Sequence, residues 1–204
     1  MSTQHLIDSP IALEALFDAV GEASRRKEVD HIAPVYRALV EASPFCVLAT
    51  SGPDGLDVSP RGDAPGFVRV ADARTLHLPE RRGNNRIDSL RNLLADPRVA
   101  LLFLIPGVGE TLRVNGRARI SVAPDLLQSF VVQGAVPKCV LEISVDAVYF
   151  QCARAIQRSQ LWAPVTQRPA VPTAGRMLAA LTGNDIDGET YDRELPARQR
   201  ATLY

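Results

Sequence analysis

The chain has 204 residues, and Lys+Arg and Asp+Glu both number 23, so no net charge draws it to nucleic acid or a membrane surface. Its 46% hydrophobic content is that of a globular protein, and the length suits one domain with an appendage. Only 5% of residues are aromatic, which further disfavours nucleic-acid binding.

No apolar run reaches bilayer length, because Val99–Ile105 ("VALLFLI") is only strand-length. Residues 1–17 lack the basic start, apolar middle and small-residue cleavage site of a signal peptide. Cys46, Cys139 and Cys152 are odd in number and far apart, and fit neither a disulfide framework nor a zinc site. His5, His31 and His77 show no metal-ligand spacing either. The expectation is a cytoplasmic protein without a metal.

Residues 1–43 read as a helical segment. Ser9 serves as N-cap and Pro10 suits the first helical position of a helix to Glu22, with Ile11, Leu13, Leu16, Phe17 and Val20 as its apolar stripe. A second helix covers Pro34–Ala42, with Val35, Ala38, Leu39 and Ala42 on one face, and stops at Pro44.

From Phe45 the pattern becomes short strands. "FCVLATS", the turn "GPDG" and "LDVSP" read as a hairpin. After "RGDAPG" come two further strands, "FVRVA" and "TLHLP". A helix follows over roughly Arg86–Ala95, with Ile87, Leu90, Leu93 and Leu94 facing the core and Pro97 closing it. "RVALLFLI" is apolar on both faces and predicts a central strand covered on both sides. In "TLRVNGRARI", Leu112, Val114, Ala118 and Ile120 alternate with Arg113, Asn115, Arg117 and Arg119. A helix near Pro124–Val132 precedes the strand "KCVLEISVDAVYFQ", in which Cys139, Leu141, Ile143 and Val145 share a face. A last helix begins near Ala153. Residues 164–204 read as a peripheral tail with one helix, "GRMLAAL". Six or seven hairpin-linked strands with few crossover helices favour a small antiparallel barrel over a doubly wound sheet.

Three stretches have the residue types of a binding site. In "RRGNNRIDSLRNLL", Asn85 is the candidate N-cap with Asp88 three residues on, and Arg81, Arg82 and Arg86 crowd a terminus that favours anions. Two readings stay open: a phosphate-sized anion site, or a solvated helix start with Asp88 neutralising Arg86. In "DVSPRGD", Ser59, Arg61 and Asp63 sit at a strand end, which suits a ligand loop or a surface turn with an internal Arg–Asp pair. In "RAIQRSQLW", Arg154, Arg158 and Trp162 share a helical face, either to stack on an aromatic ligand or as a surface cation–π contact. The chain lacks G-x-G-x-x-G, a P-loop and G-x-S-x-G, which disfavours Rossmann, P-loop and α/β-hydrolase chemistry.

In order and spacing, "VLATSGPDGLDVSPRGD", "LPERRGNNRIDSLRNLLADPRVALLFLIPG", "TLRVNGRA" and "RSQLW" resemble the pyridoxamine 5′-phosphate oxidase-like, FMN-binding split-barrel family, and within it a bacterial FMN-dependent branch. The resemblance runs from about Phe45 to Trp162. It implies a mainly β, antiparallel split barrel with peripheral helices over residues 44–163, homodimeric, with noncovalent FMN at the dimer interface. It implies an oxidoreductase that transfers hydride through that FMN, with a small-molecule substrate and a reductant or oxygen completing the cycle. Ser59, Pro60, Arg61, Gly62 and Asp63 would lie beside the flavin ring and ribityl chain, and Leu78 and Pro79 would border it. Asn84, Asn85 and Arg86 would hold the phosphate, with Arg81 assisting. Arg113 would approach the cofactor, while Arg158, Ser159 and Trp162 would cover the ring edge from the other chain. The arginine- and histidine-containing C-terminal segment of the vitamin B6 oxidases has no match here, and no catalytic acid or base is assigned. The rival readings are a true pyridoxamine phosphate oxidase and a flavin- or haem-binding sensor or carrier, for which His77 is the candidate haem ligand, although a histidine inside "TLHLP" is more often a packed strand residue.

Overall fold

The structure is a computed structural model and describes residues 5–167 and 169–204. Residues 1–4, the start of the predicted N-terminal segment and of the stretch read for a signal peptide, and residue 168 of the predicted tail lie outside the described residues. Elements in chain order are α1 (Pro10–Glu14), α2 (Glu22–Arg26), α3 (Pro34–Ala42), β1 (Phe45–Gly52), β2 (Gly55–Gly62), β3 (Arg69–Asp72), β4 (Thr75–Pro79), α4 (Asp88–Ala95), β5 (Arg98–Leu104), β6 (Thr111–Ser121), α5 (Pro124–Ser129), β7 (Val140–Gln151), α6 (Arg154–Ser159), α7 (Ala174–Leu181) and α8 (Gly188–Ala201).

The strands form one antiparallel sheet in the order β2-β1-β5-β6-β7-β4-β3. With β2 and β3 as free edges the sheet is not closed, and with helices at its margins this is the architecture of a split barrel. Cys46 and Leu48 of β1, Leu101 and Phe103 of β5, Leu112 and Val114 of β6, and Leu141 and Ile143 of β7 form the buried face. Tyr36 and Val40 of α3 and Leu93 of α4 pack into the same core. Among the described residues no helix is long and apolar enough to cross a membrane.

Several expectations are corrected. Ser9 caps α1 through its side chain, which accepts from the Ala12 N–H at 3.2 Å, but α1 ends at Glu14 and its predicted stripe is exposed. In α3 the buried residues are Tyr36 and Val40, while Val35 is exposed. The Tyr36 hydroxyl donates to the Lys27 carbonyl at 2.6 Å, so a polar tip that sequence patterning discounts finds its partner at the core margin. α4 begins at Asp88 after Ile87, so Asn85 is not the N-cap, and Leu94 lies 81% exposed. Ala100, Leu102 and Leu104 of β5 are only half-buried, because among the described residues no second layer covers them on the outer face of the sheet. α6 ends at Ser159 with Gln160 left-handed, so Trp162 is not on the helix with Arg154 and Arg158.

The tail is more ordered than its composition suggests. α7 and α8 pair so closely that a Cβ on Gly175 would lie 2.0 Å from the Gly188 carbonyl oxygen. Asp192 of α8 accepts from the Gly175 N–H at 2.8 Å and from the Thr173 hydroxyl.

Candidate functional site

A cleft of about 620 Å³ opens where the end of β2, the end of β4 and the start of α4 converge. Along β2, Asp57, Ser59 and Arg61 point to the same face as Thr50, Leu48 and Cys46 of the paired strand β1, toward α4. Pro79 ends β4, and residues 80–87 then form an irregular connection to α4. Asn85 (φ 60°) and Ile87 (φ 54°) are left-handed, and the Asn84 side chain accepts from the Arg86 N–H at 3.0 Å. A β-branched residue in that region costs about 1–3 kcal/mol, so the loop shape is imposed by its surroundings.

The polar groups of the cleft are tied together. Arg61 Nε meets Glu80 at 3.1 Å, and its Nη1 donates to the Ser59 hydroxyl and the Pro60 carbonyl, each at 2.9 Å. Ser89 donates to Asp57 at 2.5 Å and lies 2.9 Å from the Ser59 hydroxyl. Arg61, only 15% exposed, therefore presents a fixed positive charge. Burial pushes the Cys46 thiol up to about 12, against the pull of Arg61, and burial aided by Glu80 raises Cys139. Both stay neutral thiols rather than nucleophiles.

Beside the cleft, Asp63 gathers three donors. Arg81 Nε lies 2.7 Å from one carboxylate oxygen, while the Ala64 N–H and the Tyr204 hydroxyl each reach the other at 2.7 Å. Arg81 also donates to the Phe130 carbonyl at 2.7 Å. Burial acts to raise the Asp63 pKa, but hydrogen bonds from Tyr204, Ala64 and Arg81 outweigh it and hold the carboxyl below its ordinary 3.8. The bond to Asp63 in turn raises the Tyr204 phenol above its ordinary 10. A depressed carboxyl contributes fully above its unfolded pKa and loses that contribution as pH falls through the folded value. A raised phenol contributes fully below its unfolded pKa and loses it as pH rises through the folded value. The urea midpoint difference between wild type and Asp63→Asn should therefore be flat at neutral pH and shrink only below the ordinary carboxyl value. A difference that shrinks already between neutrality and mildly acidic pH would contradict the clasp.

Ser59, Pro60, Arg61, Gly62, Pro79, Arg81, Asn84, Asn85 and Arg86 all line this cleft. Leu78 is fully buried in the core behind it, and the Asp63 carboxylate, 3% exposed, is turned to Arg81 and Tyr204. Arg113 lies on the other face of the sheet, in register with Leu102 and Tyr149, and donates to the Tyr149 hydroxyl at 3.0 Å. Trp162 donates its indole N–H to the Val108 carbonyl at 2.7 Å, and neither it nor Arg158 nor Ser159 lines the cleft of its own chain. The cleft also holds Asp57, Glu80, Ser89 and Lys138, which sequence reasoning did not single out. Alternation of Asp57 with Ser59 and Arg61 along one strand was the available signal for the first; Lys138 carries none. Its lining has five cationic side chains (Arg61, Arg81, Arg82, Arg86, Lys138) against three carboxylates (Asp57, Glu80, Asp88), so it favours an anion.

A search of the curated proteins finds no match. Among solved structures, HupZ of Group A Streptococcus is 20% identical over 59% of this chain and 94% of its own, with a TM-score of 0.48. A Clostridium acetobutylicum protein related to general stress protein 26, of the pyridoxinephosphate oxidase family, is 13% identical over 56% of this chain and 84% of its own, with a TM-score of 0.42. The family model described as pyridoxamine 5′-phosphate oxidase matches residues 32–152, from just before α3 to just past β7. That span is more than half the chain and contains the whole sheet with its anion-favouring cleft: the chain belongs to the pyridoxamine 5′-phosphate oxidase family.

Proposed function

We propose that the protein is an FMN-dependent oxidoreductase acting as a homodimer. The observation that carries this reading is the cationic cleft in a chain of this family. Its volume lies within the roughly 300–1,000 Å³ usual for small-molecule and cofactor sites. Its residues fit an elongated phosphate-bearing group: polar and cationic at the 81–86 loop, and walled by strand residues at the β2 end.

FMN bound there would supply hydride exchange at the flavin ring. In this reading Asn84, Asn85 and Arg86 hold the phosphate, and Arg81, braced by Asp63, adds a second charge. Arg86 pairs with Asp88 at 2.8 Å and is 75% exposed, so it can turn toward a phosphate without breaking a buried contact. Ser59, Pro60, Arg61 and Gly62 wall the ring end. Arg61, held by Glu80 and Ser59, would orient and polarise the bound group.

The outer face of the sheet supports the dimer. Val58 and Pro60 of β2 lie across Ala49 and Val47 of β1, which lie across Ala100 and Leu102 of β5, and Leu56 is strongly exposed beside them. A contiguous apolar face of this kind marks an association surface. Arg113 lies on this face, and with Arg158, Ser159 and Trp162 it would serve the partner's cleft.

Arg86→Ala should weaken FMN binding by about tenfold or more, the scale of one charge-assisted hydrogen bond. Its exposed ion pair contributes at most about 1 kcal/mol, so the apoprotein Tm should move by no more than about 2–4 °C. FMN titration followed by flavin fluorescence, with thermal unfolding of the apoprotein, checks both. Unchanged FMN affinity would overturn the phosphate assignment.

A further inference from the structure

At the β2 end of the cleft a series of hydrogen bonds has a fixed direction. Asp57, Ser59 and Arg61 alternate along β2, and Ser89 stands against them in the first turn of α4, only 4% exposed. The Ser89 hydroxyl donates to the Asp57 carboxylate at 2.5 Å, and a carboxylate can only accept. A hydroxyl has one proton, so Ser89 has none left for Ser59 at 2.9 Å, and Ser59 is the donor of that pair. Ser59 in turn accepts from Arg61 Nη1 at 2.9 Å, while Arg61 Nη2 reaches Ser89 at 3.5 Å. Every proton in the series Arg61, Ser59, Ser89, Asp57 therefore points toward Asp57.

This direction decides what the cleft wall offers. Ser59 lines the cleft with its only proton committed to Ser89, so its oxygen has a lone pair, not a proton, for a bound group. Arg61 is held away from that role by Glu80 at Nε, 3.1 Å, and by the Pro60 carbonyl at Nη1, 2.9 Å. In a partly buried site each bond of such a series polarises the next, which reinforces the direction.

We propose that Asp57, acting through Ser89, is a positioning residue that holds the Ser59 hydroxyl as an acceptor, so that this end of the cleft prefers a bound group offering N–H. The direction of the series stands on its own; its consequence for a flavin rests on the FMN reading. A reduced flavin ring carries N–H groups that the oxidised ring lacks, so the acceptor favours reduced FMN over oxidised.

The midpoint potential of bound FMN reads that preference. Ser89→Ala frees the Ser59 proton to turn to the cleft and should lower the preference for reduced FMN by about three- to tenfold. For a two-electron couple that is a fall of about 15–30 mV. Asp57→Ala and Ser59→Ala should act in the same direction. In a Ser59→Ala background, adding Ser89→Ala should change the preference by less than about 1.5-fold, because the hydroxyl through which Ser89 acts is gone. An unmoved potential in Ser89→Ala, or effects that add in the double variant, would overturn the proposal. If the protein retains no FMN, the FMN reading fails, and the series is read in the apoprotein by NMR of labelled serine. Slowly exchanging hydroxyl protons on Ser59 and Ser89 that Asp57→Ala releases would then support the assigned direction, and fast exchange of both in the wild type would overturn it.

Discussion

Replacing Asp63 by alanine should cost about 3–5 kcal/mol, the scale for removing one partner of a buried charge pair. The Asp63 side chain is 3% exposed and that of Arg81 15%, so the guanidinium would lose its carboxylate with little access to water. Its remaining acceptor would be the Phe130 carbonyl. The Tyr204 hydroxyl and the Ala64 N–H would lose their acceptor as well. Tyr204→Phe removes one of these bonds and should cost only about 1 kcal/mol. The order Asp63→Ala far above Tyr204→Phe, read from urea unfolding, separates a charge clasp from a simple surface tether. An Asp63→Ala protein within about 1 kcal/mol of wild type would mean that the pair behaves as an exposed one.

Gly116→Ala should be nearly as damaging, at about 3 kcal/mol, the upper end for forcing atoms into a packed region. Gly116 sits where β6 and β7 shift register: Asn115 faces Ala147, but Gly116 faces Val145, leaving Asp146 as the extra residue. Through that bulge the core-facing positions of β7 change from Leu141, Ile143 and Val145 to Val148. A Cβ at position 116 would lie 2.2 Å from the Ser144 carbonyl oxygen and 3.2 Å from an Ile143 methyl. The obstacle is backbone, so relief requires the two central strands to separate. The same β7 pairs with β4 and thereby fixes Pro79 at the cleft. Urea unfolding measures the loss; a neutral Gly116→Ala would show that the strands part there without cost.

Local patterning disclosed most of the sheet. The β1–β2 hairpin follows from "GPDG" between two alternating runs, and α3 runs from Pro34 to just before Pro44, as two prolines dictate. It failed where distant contacts decide. α8 was missed because Pro196 reads as a breaker and the segment is polar, although Asp187 caps it through the Glu189 and Thr190 N–H groups. The start of α4 was misplaced because an asparagine before "RID" imitates a cap, whereas two left-handed residues delay the helix to Asp88. Within the cleft, "SPR" and "NNR" were readable as polar clusters at element ends. The clasp of Asp63 by the last residue of the chain joins positions 141 apart, and no local signal announces it.

The pairing of Arg86 with Asp88 is that of a solvated helix start, while the surplus of cations around it is what the proposed phosphate site requires. The most direct measurement is the absorption spectrum of the purified protein after incubation with FMN and removal of the excess. The expected result is a flavin spectrum in near-stoichiometric amount, with the chromophore released on denaturation and identified as FMN. A colourless protein that retains no added FMN would contradict it.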